Sequence, residues 1–321
     1  FGSGLVIASL IVRDGYFALQ DNSRELMLDI PDWSLEVSGQ RAARVHSIHL
    51  STDSGSSFRV GNKALLLDQF EARSSLSPEG LRLESLEIQW DRSELAMVGT
   101  IPSSPSAELD SEVTVSIDSS QLAHFLGLSD AVSGLIDLRL HLGDSIRHPA
   151  VEGQLTGEQL SWRGIDDIDV AAAFEWKIKQ ARVTVKDSLL ASPHGSLQGT
   201  GQIALTGDAG KSEVNFQFSR FDFDWLGRFL GNRYRAASLG SGEASLSWPG
   251  LELDQFVGTG ALALRAAQNT ARAGLLPVSG NLSLSSTREN FLISPEELRA
   301  GDLHLDVETT VQRQEGLKNL G

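Results

Sequence analysis

The residues able to do chemistry are few, and their spacing argues against most of it. His46 and His49 are three apart. On a strand that spacing sends the two rings to opposite faces, which makes a poor metal pair. Asp166, Asp167 and Asp169 cluster, but a calcium loop begun at Asp166 needs Gly at its sixth position and a carboxylate at its twelfth. The chain has Ala171 and Lys177 there, so the three aspartates read as a polar loop feeding a strand. There is no Cys, which removes thiolate ligands, cysteine nucleophiles and disulfides. HExxH, GxSxG, P-loop and GxGxxG patterns are missing from the sequence. No carboxylate pair stands out for acid–base cleavage of a glycosidic bond. Trp90, Trp162, Trp176 and Trp248 have the chemistry of a sugar-stacking row, but they fall at or near the ends of β-runs and read as packing of the sheet rim or interior. Gly240-Ser241-Gly242 reads as a turn between strands. The expectation is a non-enzymatic protein with no catalytic residue, no metal and no cofactor.

Charge narrows the partners. The 321 residues carry a formal net charge of −15. Nucleic acid binding requires a cationic face that displaces counterions, so no nucleic acid partner is expected. Electrostatic attraction to an anionic lipid surface is disfavoured for the same reason. Uncharged or zwitterionic apolar ligands remain open. The early apolar run at residues 5–12 is too short to span a bilayer, which takes about 20 residues. The chain begins at Phe1 and reads as an internal fragment of a longer protein.

The elements that position these residues are organised around a motif that occurs twice. Residues 118–127 read DSSQLAHFLG and residues 222–231 read DFDWLGRFLG, at an offset of 104. Each copy predicts a short helix, over 120–127 and 224–231, with Ser120 or Asp224 as N-cap. Leu122, Phe125 and Leu126 share one face, as do Leu226, Phe229 and Leu230, and Gly127 or Gly231 ends the helix. These faces are expected to cap or plug an apolar sheet face. Upstream, 99–101 is answered by 201–203 at an offset of 102; downstream, Gly134, Ile136, Leu138 and Leu140 are answered by Gly242, Ala244, Leu246 and Trp248 at 108. Small drifts of this kind suit repeats that accept loop insertions.

Everything else reads as strand. Asp14-Gly15 predicts a hairpin turn, and Pro31-Asp32 separates two short runs. The alternation changes phase at Ser85, which predicts a bulge. Residues 102–105 mark the first boundary, giving segments 1–104, 105–212 and 213–321. The apolar sets are Ile136, Leu138 and Leu140; Val183 and Val185; Val214, Phe216 and Phe218; Leu246 and Trp248; and Leu303, Leu305 and Val307. Each set lies on one face of its strand and needs cover. Stacked sandwiches, a closed solenoid or barrel, and an open trough filled by lipid all satisfy that need.

The run of strands, with IVRDGYFAL at 11–19, VTVSIDSSQLAHFLGL at 113–128, SGLIDLRLHLGDSIRHPAVEGQL at 133–155 and VNFQFSRFDFDWLGRFLG at 214–231, resembles the AsmA-like superfamily of bacterial envelope proteins. Within it, the chain is similar to the TamB-like translocation and assembly module proteins along essentially its whole length. The resemblance implies a mainly β fold: an elongated, twisted, taco-shaped antiparallel groove built of repeats, with one short helix in each. It implies a periplasmic bridge, anchored in the inner membrane by an N-terminal segment that this chain lacks, moving phospholipids along the apolar groove towards the outer membrane. Phospholipid acyl chains and an Omp85-type outer-membrane barrel are the implied partners. The alternative is a structural or chaperone scaffold for outer-membrane protein assembly.

Overall fold

The structure is a computed structural model, and it describes residues 8–21, 26–40, 45–52, 55–60, 63–121, 132–162, 165–225, 235–267, 275–305 and 308–312. Among the described residues the fold is mainly β: a 21-stranded antiparallel sheet and a separate two-stranded parallel pair. The chain divides into two compact units, Phe1–Gly164 and Ile165–Gly321.

The first unit contains β1 (Ser9–Asp21), β2 (Leu26–Gln40), β3 (Val45–Thr52), β4 (Ser56–Val60), β5 (Lys63–Leu67), β6 (Gln69–Ser77), β7 (Gly80–Trp90), β8 (Ser93–Pro102), β9 (Asp110–Asp118), β10 (Val132–Gly143) and β11 (Ala150–Trp162). β1 pairs with β2. β2 then divides: its second half pairs with β3 and its first with β4, which forms a hairpin with β5. From β3 the ladder passes to β6 and runs in chain order through β11.

The second unit contains β12 (Ile165–Lys177), β13 (Arg182–Ser192), β14 (Gly195–Ala204), β15 (Lys211–Asp222), β16 (Arg235–Ala236), β17 (Ser238–Pro249), β18 (Val257–Ala266), β19 (Leu275–Leu276), β20 (Val278–Ser286), β21 (Asn290–Ala300), β22 (Leu303–Leu305) and β23 (Thr309–Gln312). Its ladder follows chain order from β12 to β21, passing over β16 and β19, which pair with each other in parallel. β22 and β23 both add to β21.

Several local expectations change in three dimensions. Asp14-Gly15 is not a hairpin turn, and Pro31-Asp32 does not separate two strands. β1 and β2 run straight through, with Asp14 at φ 56 and Asp32 at φ 53 and register shifts beside Gly15. Facing irregularities therefore absorb the turn-forming residues inside one long pair. Gly15 lies opposite Trp33, and a Cβ there would overlap the indole. Gly240-Ser241-Gly242 is likewise internal to β17, not a turn. Asp166, Asp167 and Asp169 lie within β12, not in a loop. The phase change at Ser85 is a bulge as expected: Leu83 faces Gly99 and Leu86 faces Met97, so β7 spends one residue more than β8.

The repeated motif begins as a helix in both copies, with Ser119 to Gln121 and Phe223 to Trp225 helical. The caps are Asp118 and Asp222 rather than Ser120 or Asp224. Asp118 Oδ1 accepts the Ser120 N–H at 2.9 Å. Asp222 Oδ1 accepts the N–H groups of Asp224 and Trp225 at 3.0 and 3.2 Å. A carboxylate two positions earlier reaches the orphan donors of the first turn, as an N-cap must. Leu122, Phe125, Leu126, Leu226, Phe229 and Leu230 lie outside the described residues. The chain returns to the sheet opposite the cap at the same distance in both units: Leu135 faces Asp118 and Leu239 faces Asp222, each 17 residues on. The correspondence at an offset of 108 belongs to the sequence and not to the ladder. Leu138 stands three residues after Leu135, whereas Leu246 stands seven after Leu239.

Buried apolar side chains are sparse. Among the described residues they are Val151 and Leu160 in the first unit and Ile165, Ile168, Ala204, Ala237, Trp248, Leu262 and Leu264 in the second. The largest fully buried side chains are serines: Ser56, Ser111, Ser212 and Ser238. Ser212 shows why a hydroxyl is kept inside. Its Oγ accepts the Ala204 N–H at 3.0 Å and donates to the Gly250 carbonyl at 2.7 Å, satisfying two backbone groups where the ladder leaves them.

Candidate apolar binding face

Strand alternation gives each sheet an apolar and a polar side, and the register decides whether the apolar sides of neighbouring strands join. They do. In the first unit Ile88, Leu95, Val115, Leu138 and Leu155 face one another in turn across β7 to β11. Beside them run Leu86, Met97, Val113 and Leu140, with Ile117 opposite Ile136. All of these side chains are half-buried.

The second unit repeats the arrangement. One row reads Phe174, Val185, Gly201, Val214, Leu246 and Gly258 across β12 to β18. The next carries Gly199, Phe216, Ala244, Gly260, Leu284 and Ile293. A third carries Leu197, Phe218, Gly242, Leu262 and Leu282. Trp176 faces Val183 at one end of the band, and Trp248 faces Ser212. Trp248 is only 7% exposed, which places it in the sheet interior rather than in a stacking row.

The expected lining residues therefore fall into two groups by unit. Ile136, Leu138 and Leu140 share one face of the first. Val183, Val185, Val214, Phe216, Phe218, Leu246 and Trp248 share one face of the second. Leu303 and Leu305 pair with Ala300 and Leu298 at the end of the ladder. Leu303 is 67% exposed. Val307 lies outside the described residues. Sequence reasoning missed Val113, Val115, Leu95 and Met97 in the first unit and Phe174, Leu262, Leu282 and Ile293 in the second. Their alternation was visible, but membership of the face depends on register, which alternation within one strand does not supply.

Large side chains on this face lie against glycines of the next strand. A Cβ on Gly258 would stand 2.7 Å from Leu246 Cδ2, and one on Gly242 2.8 Å from Phe218 Cζ. The absent Cβ lets the neighbour lie down along the sheet, as aromatics do over strand glycines. The result is a low floor rather than a row of upright side chains. Among the described residues the helical turn carrying Phe223 lies over it at Gly240, where Leu262 and Leu264 are buried, while most of the other large side chains in the rows are half-buried.

Charge collects on the other side. Glu175 pairs with Lys177 at 3.5 Å and Lys186 at 3.9 Å. Glu71 accepts from Arg73 at 2.6 Å and lies 3.0 Å from His49 Nε2. His46 falls on the opposite side of β3 from His49, between Gly39 and Leu76. Among the described residues no group of three His, Cys, Asp or Glu is arranged to hold a metal, and no helix is long and apolar enough to cross a membrane.

No family model matches the chain, and neither a curated protein nor a solved structure matches it.

Proposed function

We propose that the apolar face is a floor for lipid acyl chains, and that the protein is a non-enzymatic conduit for phospholipids in a bacterial envelope. The observation that carries the reading is the continuity of the apolar rows across consecutive strands in each unit. A patch of that extent on a soluble chain marks a binding surface. Each methylene laid on such a floor gains about 0.8 kcal/mol. Neighbouring rows offer similar side chains, so adjacent positions have similar energies and a bound chain slides between them without a deep trap. Head groups project away from the floor into water. In this reading the sheet is an elongated, twisted, taco-shaped groove of repeats, with a short helix in each of 105–212 and 213–321 to cap the apolar face. The resemblance to TamB-like proteins supplies the setting: the periplasm, an inner-membrane anchor elsewhere in the protein, and an Omp85-type barrel at the far end. Native mass spectrometry of the chain purified from bacteria, with lipid extraction from the same sample, tests it. Several phospholipids per chain are expected, and a lipid-free, monodisperse chain would reject the conduit.

A second reading has its own observation. β1 pairs with β2 alone among the described strands and exposes Leu10, Ile11, Tyr16, Phe17 and Leu19. A long apolar edge strand is a template for strand addition, which suits a scaffold for outer-membrane protein assembly. Capture of unfolded barrel peptides by the lipid-free chain would favour it.

A further inference from the structure

The polar side of the second unit is not uniform. A depression of about 600 Å³ opens on it, between Ser196 and Gln198 on β14 and Glu296 on β21. That volume is within the range of about 300–1,000 Å³ typical of small-ligand sites. Its floor is low because Ala261 and Ala263 project there from β18, while Gln198, Gln217, Glu243 and Asn281 stand around them. Register explains the grouping: Gln198 faces Gln217, Gln217 faces Glu243, and Glu243 faces Ala261. Ser283 completes this row, opposite Ala261, and Asn281 faces both Ala263 and Glu296.

We propose that this depression binds a neutral, hydroxyl-rich chain, an oligosaccharide, through Gln198, Gln217, Glu243, Asn281 and Glu296. Each amide offers an acceptor and two donors side by side, which matches a sugar hydroxyl that both donates and accepts. The carboxylates accept from hydroxyls in charge-assisted bonds. No Lys or Arg lines the depression, so phosphates, nucleotides and anionic head groups are repelled by Glu243 and Glu296. Phe218, Leu262 and Leu282 are among the lining residues, but by register their side chains belong to the opposite face, so an acyl chain finds little to bury against. The depression crosses six strands, from β14 to β21 without β16 and β19, a span of about 24 Å at 4.8 Å per strand, which suits several linked sugars rather than one. Hydrogen bonds made in exchange for water are individually weak, so the expected affinity is millimolar. The site is independent of the lipid floor, since it lies on the other side of the same strands.

The test uses the whole chain and three neutral probes, maltohexaose, cellotetraose and chitotetraose, with spermine as a cationic control. The backbone amide signals of Ala261 and Ala263 are followed by NMR. At least one oligosaccharide is expected to shift them with a millimolar midpoint. The double variant Gln217→Ala, Asn281→Ala is expected to weaken that response at least tenfold with an unchanged backbone spectrum and unchanged lipid content. Three outcomes overturn the proposal: silence with all three sugars at tens of millimolar, an undiminished response in the double variant, or a response to spermine alone. The last would reassign the two glutamates to cation binding.

Discussion

Asp118 and Asp222 stand 104 residues apart and hold the first turn of a helix in the same way, Oδ1 to the N–H two residues on, at 2.9 and 3.0 Å. Each is also tied by its own backbone N–H to the tip of an earlier hairpin. Asp118 donates to Ser93 Oγ at 3.0 Å, and Asp222 to the His194 carbonyl at 2.8 Å. Each aspartate therefore fixes where the chain leaves the sheet.

Removing the cap costs stability. Asp118→Ala is expected to lower the unfolding free energy by about 1 kcal/mol, the usual loss for a capping carboxylate. Urea titration of the two proteins measures the difference. An unchanged midpoint would mean that the hairpin tie, not the cap, holds the turn.

The same residue carries a pH dependence. The Ser120 hydroxyl, hydrogen-bonded to the Asp118 carboxylate, holds its pKa below the ordinary value; partial burial opposes this, and the Ser120 N–H and Arg92 add to it. A carboxyl whose pKa is lowered in the folded state stabilises it above the unfolded value of about 3.9. That contribution fades as the pH falls through the lower folded pKa. The stability gap between wild type and Asp118→Asn is therefore expected to be constant near neutrality and to close below about pH 4. Denaturant midpoints across that range check it, and a gap that persists at the acid end would contradict the assignment.

Ser212 is a second weak point. Ser212→Ala strands the Ala204 N–H and the Gly250 carbonyl in a fully buried position. Orphaned buried groups cost about 1–3 kcal/mol each. Thermal unfolding of Ser212→Ala is expected to fall several degrees, with Ser219→Ala on the exposed surface as the comparison.

The low floor depends on its glycines. Gly258→Ala places a Cβ against the Ser245 carbonyl and 2.7 Å from Leu246 Cδ2. Overpacking of this kind costs about 1–3 kcal/mol. Gly207→Ala, which meets nothing within 4 Å, is expected to be neutral within about 0.5 kcal/mol. Parallel melting curves of the two variants decide whether close approach is the cause.

Lipid content should follow the face and not the strand. Leu138→Glu and Phe216→Glu put a charge on the apolar rows and are expected to remove most co-purified lipid. Thr114→Glu and Thr200→Glu alternate to the other side of β9 and β14 and are expected to leave it unchanged. Equal losses in all four variants would point to a general loss of fold rather than a binding floor.

Much of the β architecture was legible because the sheet-forming residues alternate with period two, and the bulge at Ser85 announced itself as a break in that period. Asp14-Gly15 misled because a turn dipeptide and a bulge require the same left-handed backbone; only the partner strand, with Asp32 in the same conformation, separates them. Gly240 and Gly242 misled for a related reason. Their glycines answer to Phe223 and Phe218 overhead, a contact between residues far enough apart in sequence that no local window contains both. The caps were misplaced by two residues because Asp118, Ser119 and Ser120 in one copy, and Asp222 and Asp224 in the other, all suit the role, and only geometry ranks them.

With the exceptions at β2 and β21, each sheet strand pairs only with the strands immediately before and after it in the ladder. Such an architecture has no keystone. A hairpin inserted or deleted as a whole disturbs only the interfaces at its two sides and leaves every other one as it was, so the ladder within a unit can lengthen or shorten in steps of one hairpin, about 9.6 Å each, without redesigning what remains.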